Sequence, residues 1–195
     1  LEIKKKMKNI FIDAGAHDGV LTFEHFIIHQ KHLEGCEVHF FEPLSYTYDW
    51  LLHRIDNFKK TYSGYTFIPY HKAVWVKNEI NNFYEAIGSY GNVGSTLHAD
   101  KKEPLKLDAP EKVECIDIED FILKNFDKED YITLKLDVEG SEYEILNHLL
   151  NNNNAIYYIN EILIEWHDSF YDNVNPQDLI DRLNEKNIKH NAWLL

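Results

Sequence analysis

Four short stretches of this sequence end in clustered polar residues whose types could bind a ligand and move a proton. The apolar run Asn9–Ala14 leads into Asp13, Ala14, Gly15, Ala16, His17, Asp18 and Gly19. Glu37–Phe41 leads into Glu42 and Pro43, and Tyr131–Leu136 leads into Asp137, Val138, Glu139, Gly140, Ser141 and Glu142. The apolar residues up to Ile164 lead into Glu165, Trp166 and His167. Each run has the length of a buried strand. Ligands of α/β sheets bind beyond the carboxyl ends of the strands, so these four tips are expected to line one sheet edge.

The chemistry of the first two tips narrows the ligand. Gly15 and Gly19 allow the backbone to come close to a bound molecule. The first loop is not a dinucleotide fingerprint: a third glycine is missing, and Asp13 and Asp18 would repel a pyrophosphate. They suit a cationic group instead. Glu42 follows the glycine loop by about 20 residues, the place where a carboxylate accepts hydrogen bonds from ribose hydroxyls. An adenosine with a cationic, unphosphorylated tail meets both conditions, and S-adenosylmethionine is that molecule.

Several segments together resemble the FkbM family of methyltransferases. They are residues 12–19, Phe41-Glu42-Pro43, Lys72-Ala73-Val74, Gly94-Ser95-Thr96-Leu97 and residues 134–142. The resemblance runs from about residue 9 to residue 167, and Asp137-Val138-Glu139-Gly140 with Glu142 is its most specific part. It implies a Rossmann-like class I methyltransferase fold and methyl transfer to hydroxyls of sugars and secondary metabolites. By this resemblance Asp13, Gly15, Ala16, His17, Asp18, Gly19, Glu42, Pro43 and Asp137 line the cofactor site. Ala73 would lie under the adenine, and Ser95 near the sulfonium or the acceptor. His17 stands where the family's loop most often has Asn.

Transfer to a hydroxyl requires alignment and a route for the proton. A sugar hydroxyl is a poor acid, so a general base or a metal is called for. Asp137, Glu139, Glu165 and His167 come from tips expected to be neighbours. His167 is the preferred base; alternatively, Asp137, Glu165 and His167 could hold Mg or Mn. Lys135, polar on a strand expected to be buried, either pairs with a carboxylate or meets the substrate.

The elements that must position these groups follow from periodicity. Residues 19–30 carry Val20, Phe23, Phe26 and Ile27 at helical spacing, and a second helix carries Trp50, Leu51, Leu52 and Ile55. Residues 65–70 read as a strand that Pro69 ends or places at an edge. Extra strands are expected near 82–86 and 112–116, and a short helix at 117–124. Residues 141–150 read as a helix with Ser141 and Glu144 in a capping box. Asn175 and Pro176 open another helix, and 187–195 read as a last strand. Residues 84–110, with Gly88, Gly91 and Gly94, read as a loop over the site. The pattern is an α/β fold: a mostly parallel central sheet with helices on both faces.

Composition sets the outer bounds. The 195 residues fit one domain, 1–195. The chain begins with Leu1 and its single Met is Met7, which points to a piece of a longer protein with flanking domains. The formal charge of −13 argues against nucleic acid as a partner; the basic cluster is Lys4, Lys5, Lys6 and Lys8. A sugar or glycan acceptor is the easier fit. No apolar run approaches the roughly 20 residues of a membrane span. Cys36 and Cys115 read as free thiols of a reducing compartment, hence a cytoplasmic protein.

Overall fold

The computed structural model describes residues 7–88, 93–172 and 175–193; Lys4, Lys5, Lys6 and Gly91 lie outside them. Nine strands and four α-helices are described. The strands are β1 (Asn9–Ala14), β2 (Glu37–Phe41), β3 (Thr66–Tyr70), β4 (Ala73–Trp75), β5 (Glu79–Phe83), β6 (Glu111–Asp117), β7 (Tyr131–Leu136), β8 (Ile159–Ile164) and β9 (Lys189–Ala192). The helices are α1 (Ser45–Thr61), α2 (Ile118–Asn125), α3 (Glu142–Asn152) and α4 (Pro176–Glu185).

The main sheet has the order β3-β2-β1-β7-β8-β9, and every pairing in it is parallel. The chain builds outward from β1 to β3, then returns to the centre with β7 and builds the other way. The reversal between β1 and β7 is the switch point at which such sheets bind ligands. Register there sets Asp13 against Lys135 and Ala14 against Leu136. Pro69 lies in β3, an edge strand, where a missing N–H is tolerated.

Side-chain alternation explains the two layers. Ile10 and Ile12 point to one face with Leu134, against α2, α3 and α4. Phe11 points to the other face with Phe23, Phe40, Leu51 and Phe58. All of these are buried, and full burial of each such side chain stabilises the fold by about 1.5–3 kcal/mol. The expected extra strands do not extend the main sheet. They form a separate sheet, β4-β6-β5, whose small core of Leu44, Ala73, Phe83, Val113 and Cys115 stands beside the carboxyl edge.

Two expectations change. Residues 19–30 are not one α-helix: Leu21–Phe26 is a wide π-type turn, followed by tight 3₁₀ turns at Ile27–His29 and Lys31–Leu33. The two rings of this stretch go to different neighbours. Phe23 sits among Phe58, Tyr62, Tyr65 and Phe67, and Phe26 against Phe11 and Trp193. The capping box of α3 is also absent. Ser141 already has helical dihedrals and its side chain makes no cap hydrogen bond; its Oγ lies 3.3 Å from His98 Nε2. Asn175 does cap α4, accepting from Gln177 N with Pro176 at the first helical position.

Candidate active site

A cleft of about 950 Å³, its open mouth included, lies at the carboxyl edge between the tips of β1, β2 and β7. Its walls include Gly15, Ala16, His17, Asp18, Glu42, Pro43, Ala73, Ser95, Asp137 and Glu139. Most of the site residues expected from the sequence therefore meet here. Asp13, Gly19, Glu165 and His167 are not in the wall.

Glu42 is buried at the end of β2. Its Oε2 accepts His17 N and its Oε1 accepts Leu44 N, both at 3.0 Å. Burial raises its pKa to about 7 against the lowering effect of those two N–H groups. Each oxygen keeps a lone pair for a further donor.

The two glycines of the first loop serve packing as much as ligand approach. Gly15 has φ +83°, and a Cβ there would fall 1.8 Å from the carbonyl oxygen of Asp137. The tips of β1 and β7 thus touch through backbone. Gly19 has φ +74° and fits under Leu51 and Phe40. His17 takes a left-handed backbone, φ +50°, without being glycine.

Lys135 explains Asp13. Its buried ammonium lies 3.0 Å from Asp13 Oδ1 and 3.1 Å from Asp137 Oδ2, and donates to the Gly15 carbonyl at 2.9 Å. Burial alone would lower the lysine pKa, but the two carboxylates hold it well above the usual range. Burial raises the Asp13 carboxyl, with Lys135 opposing. Of the two readings left open for Lys135, pairing with a carboxylate is the one observed.

The tip of β7 is the most tightly specified stretch. Glu139 has φ +56° and Gly140 φ +110°. The Glu139 carbonyl accepts hydrogen bonds from Thr96 Oγ1, at 2.7 Å, and from the Tyr171 hydroxyl. Gly140 lies under the Tyr171 ring, which a Cβ would meet at 2.4 Å. A non-glycine residue in a left-handed conformation persists where its surroundings over-determine it, as they do here.

His167 is buried behind this tip. Glu142 Oε1 accepts both its backbone N–H at 2.9 Å and its Nδ1 at 3.1 Å, while Glu142 Oε2 takes Gly140 N. His167 Nε2 faces Glu139 Oε2 at 3.3 Å and Asp137 Oδ1 at 4.0 Å. Burial works against the charged ring, but the bond to Glu142 and the charges of Glu142, Glu139 and Asp137 outweigh it. The pKa is pushed up to about 9. Glu165 is raised by burial and by Asp137 and Glu139.

The group whose ligand atoms converge within 4.8 Å is Asp137, Glu139 and His167. Glu165, expected from the sequence to join Asp137 and His167 around a metal, is replaced by Glu139. The carboxylates of this group already carry cations: Lys135 on Asp137 and Lys101 on Glu139. A metal ion would have to displace them and deprotonate His167.

Sequence reasoning missed three residues. Glu142 stands in the β7-tip motif, but its pairing with His167 carried no signal in the sequence. Lys101, in a charged loop, and Tyr171, past the last motif, carried no spacing signal at all; only the fold brings them to Glu139.

The sequence matches the family model described as the methyltransferase FkbM domain over residues 13–189. No curated protein matches it. Among solved structures it is similar to the methyltransferase FkbM from Methylobacillus flagellatus KT, at 16% identity and a TM-score of 0.48. The match covers 79% of this chain and 32% of that one, so this chain spans about a third of that protein's length. With a family match that runs from the tip of β1 into β9, this chain belongs to the FkbM family of methyltransferases.

Proposed function

We propose that this chain is an S-adenosylmethionine-dependent O-methyltransferase acting on a hydroxyl of a sugar or glycan. The observation that carries the cofactor is Glu42: a buried carboxylate in the cleft wall, fixed by two backbone N–H groups and able to accept two more hydrogen bonds. A ribose diol supplies that pair of donors. Ala73, Val74 and Leu97 offer an apolar wall for the base. The acidic surroundings of Asp18, Asp137 and Glu139 suit a cationic tail. When bound, the cofactor supplies an electrophilic methyl group on sulfur.

The chain's own residues then manage the acceptor. Glu139 Oε2 is occupied by Lys101 and faces His167, while Oε1 accepts no hydrogen bond from the described residues. Oε1 is the acceptor for the hydroxyl proton as the new carbon–oxygen bond forms. His167, a cation at neutral pH, holds the carboxylate rather than acting as the base. Asp137 stays paired with Lys135 and fixes the other side.

The acceptor class follows from charge. Lys135, the lysine among the described wall residues, is already paired with two carboxylates, which disfavours a phosphorylated acceptor. The net charge of −13 likewise disfavours RNA.

Calorimetric titration with S-adenosylhomocysteine tests the cofactor. Methyl transfer from labelled S-adenosylmethionine to a panel of neutral glycosides tests the acceptor. Micromolar binding, about −8 kcal/mol, lost in Glu42→Ala, is the expected result. No binding to the intact chain would overturn the proposal.

A further inference from the structure

Lys101 is a fully buried cation outside the sheet. Its side chain has no exposed surface, and all three ammonium hydrogens find acceptors. They go to Glu139 Oε2 at 2.7 Å, Glu103 Oε2 at 2.8 Å and the Gly94 carbonyl at 2.8 Å. The Phe170 ring closes the remaining side, 4.7 Å from Nζ. Those partners belong to three different parts of the chain: the loop around Gly94, the tip of β7 and the turn after β8.

The loop has a stake in the cleft. Gly94, Ser95 and Leu97 are in its wall. Gly94 has φ +95°, and a Cβ there would lie 3.3 Å from Lys101 Nζ and 3.1 Å from Glu103 Oε2. The next residue is tied down too: Lys102 N donates to the Phe170 carbonyl at 3.0 Å, and its ammonium pairs with Asp172 at 2.7 Å. Glu139 Oε2 sits between Lys101 and His167 Nε2, so the same ammonium fixes the carboxylate that faces the cleft.

We propose that Lys101 is a positioning residue, a latch that fastens residues 94–105 onto the tip of β7 and thereby holds Glu139 and the Gly94–Ser95 wall in one arrangement. That this arrangement serves methyl transfer rests on the function proposed above; the latch itself does not. A surface lysine could be lost without effect. A buried one with three fixed acceptors leaves Glu139 and Glu103 facing each other when it is removed.

The test compares wild type, Lys101→Met and Gly94→Ala by three readouts. Hydrogen exchange follows the amides of Ala86, Thr96 and Lys102, which the loop's hydrogen bonds protect. Imidazole NMR follows His167, with the buried His39 as reference. Calorimetry uses S-adenosylhomocysteine as the probe. In both variants the loop amides should exchange at least about tenfold faster, with β1 and β7 amides unchanged. The His167 signal should move and the His39 signal should not. Gly94→Ala keeps every charge but also strains its own backbone at φ +95°. If Lys101→Met fails to fold, the His167 signal of Gly94→Ala, which backbone strain in the loop alone would not move, decides the matter. Unchanged loop exchange, or equal loosening of β1 and β7, overturns the latch. Wild type that fails to bind the probe overturns the cofactor reading instead, and the exchange and NMR arms still decide the latch. If wild type binds, the variants should bind about tenfold more weakly, a difference of about 1.4 kcal/mol.

Discussion

Glu142 and His167 form a buried pair in which one carboxylate oxygen accepts both the backbone N–H and the ring Nδ1 of the same histidine. The side chains are 0% and 5% exposed, so the pair is held away from water and its charge state is set by the protein.

This pair makes stability depend on alkaline pH. The folded pKa of His167, about 9, lies above its ordinary 6.5, so the folded state holds the proton more tightly. The contribution is complete below about pH 6.5 and is lost as pH rises through 9. Denaturant midpoints measured from pH 6 to 10 should fall across that window. In Glu142→Gln the fall should flatten, and stability at pH 7 should drop by about 1–3 kcal/mol.

Glu42 links cofactor binding to pH on the other side of neutrality. Its pKa near 7 means the empty cleft holds a proton below that value. Ribose hydroxyls need the carboxylate as acceptor. Affinity for S-adenosylhomocysteine should therefore weaken as pH falls below 7, with proton release on binding visible in buffers of different ionisation enthalpy. Glu42→Gln should bind at least about tenfold more weakly, about 1.4 kcal/mol, and lose the pH dependence.

Gly15→Ala should cost more than a loop substitution. The left-handed φ alone costs about 1–3 kcal/mol, and the new methyl would overlap the Asp137 carbonyl. Thermal unfolding and probe binding should both suffer. Gly88→Ala, with a similar φ but nothing within 4 Å of its Cβ, should lose only the backbone part.

The two cysteines should be silent in the native state. Both are free and buried, and burial pushes their pKa values to about 12 for Cys36 and about 11 for Cys115. At pH 8 a thiol reagent should react only as fast as the protein opens. Rapid labelling of the folded chain would contradict this burial.

The strand tips were legible in the sequence because a parallel strand buried on both faces reads as an apolar run, and the polar residues after it have nowhere to go but the edge. Glu42, Asp137 and Glu139 were found that way. Residues 19–30 differ from the helix their spacing predicts because ring spacing alone does not show that Phe23 and Phe26 meet different rings of the same cluster. The sequence places His167 at the edge but not its pairing with Glu142, since that partner comes from an element distant in the chain. Lys101 and Tyr171 reach the site only through tertiary closure, which leaves no mark on local periodicity.

The contact between Gly15 and the Asp137 carbonyl has an engineering consequence. Because backbone touches backbone there, the spacing between the first loop and the β7 tip is set by main-chain contact, which the Lys135 ammonium braces from both sides. Glu165 takes no part in that contact and can be exchanged without shifting the spacing. On the function proposed above, this main-chain contact is a fixed mount for the methyl donor, and directed changes of acceptor specificity should begin at Glu165.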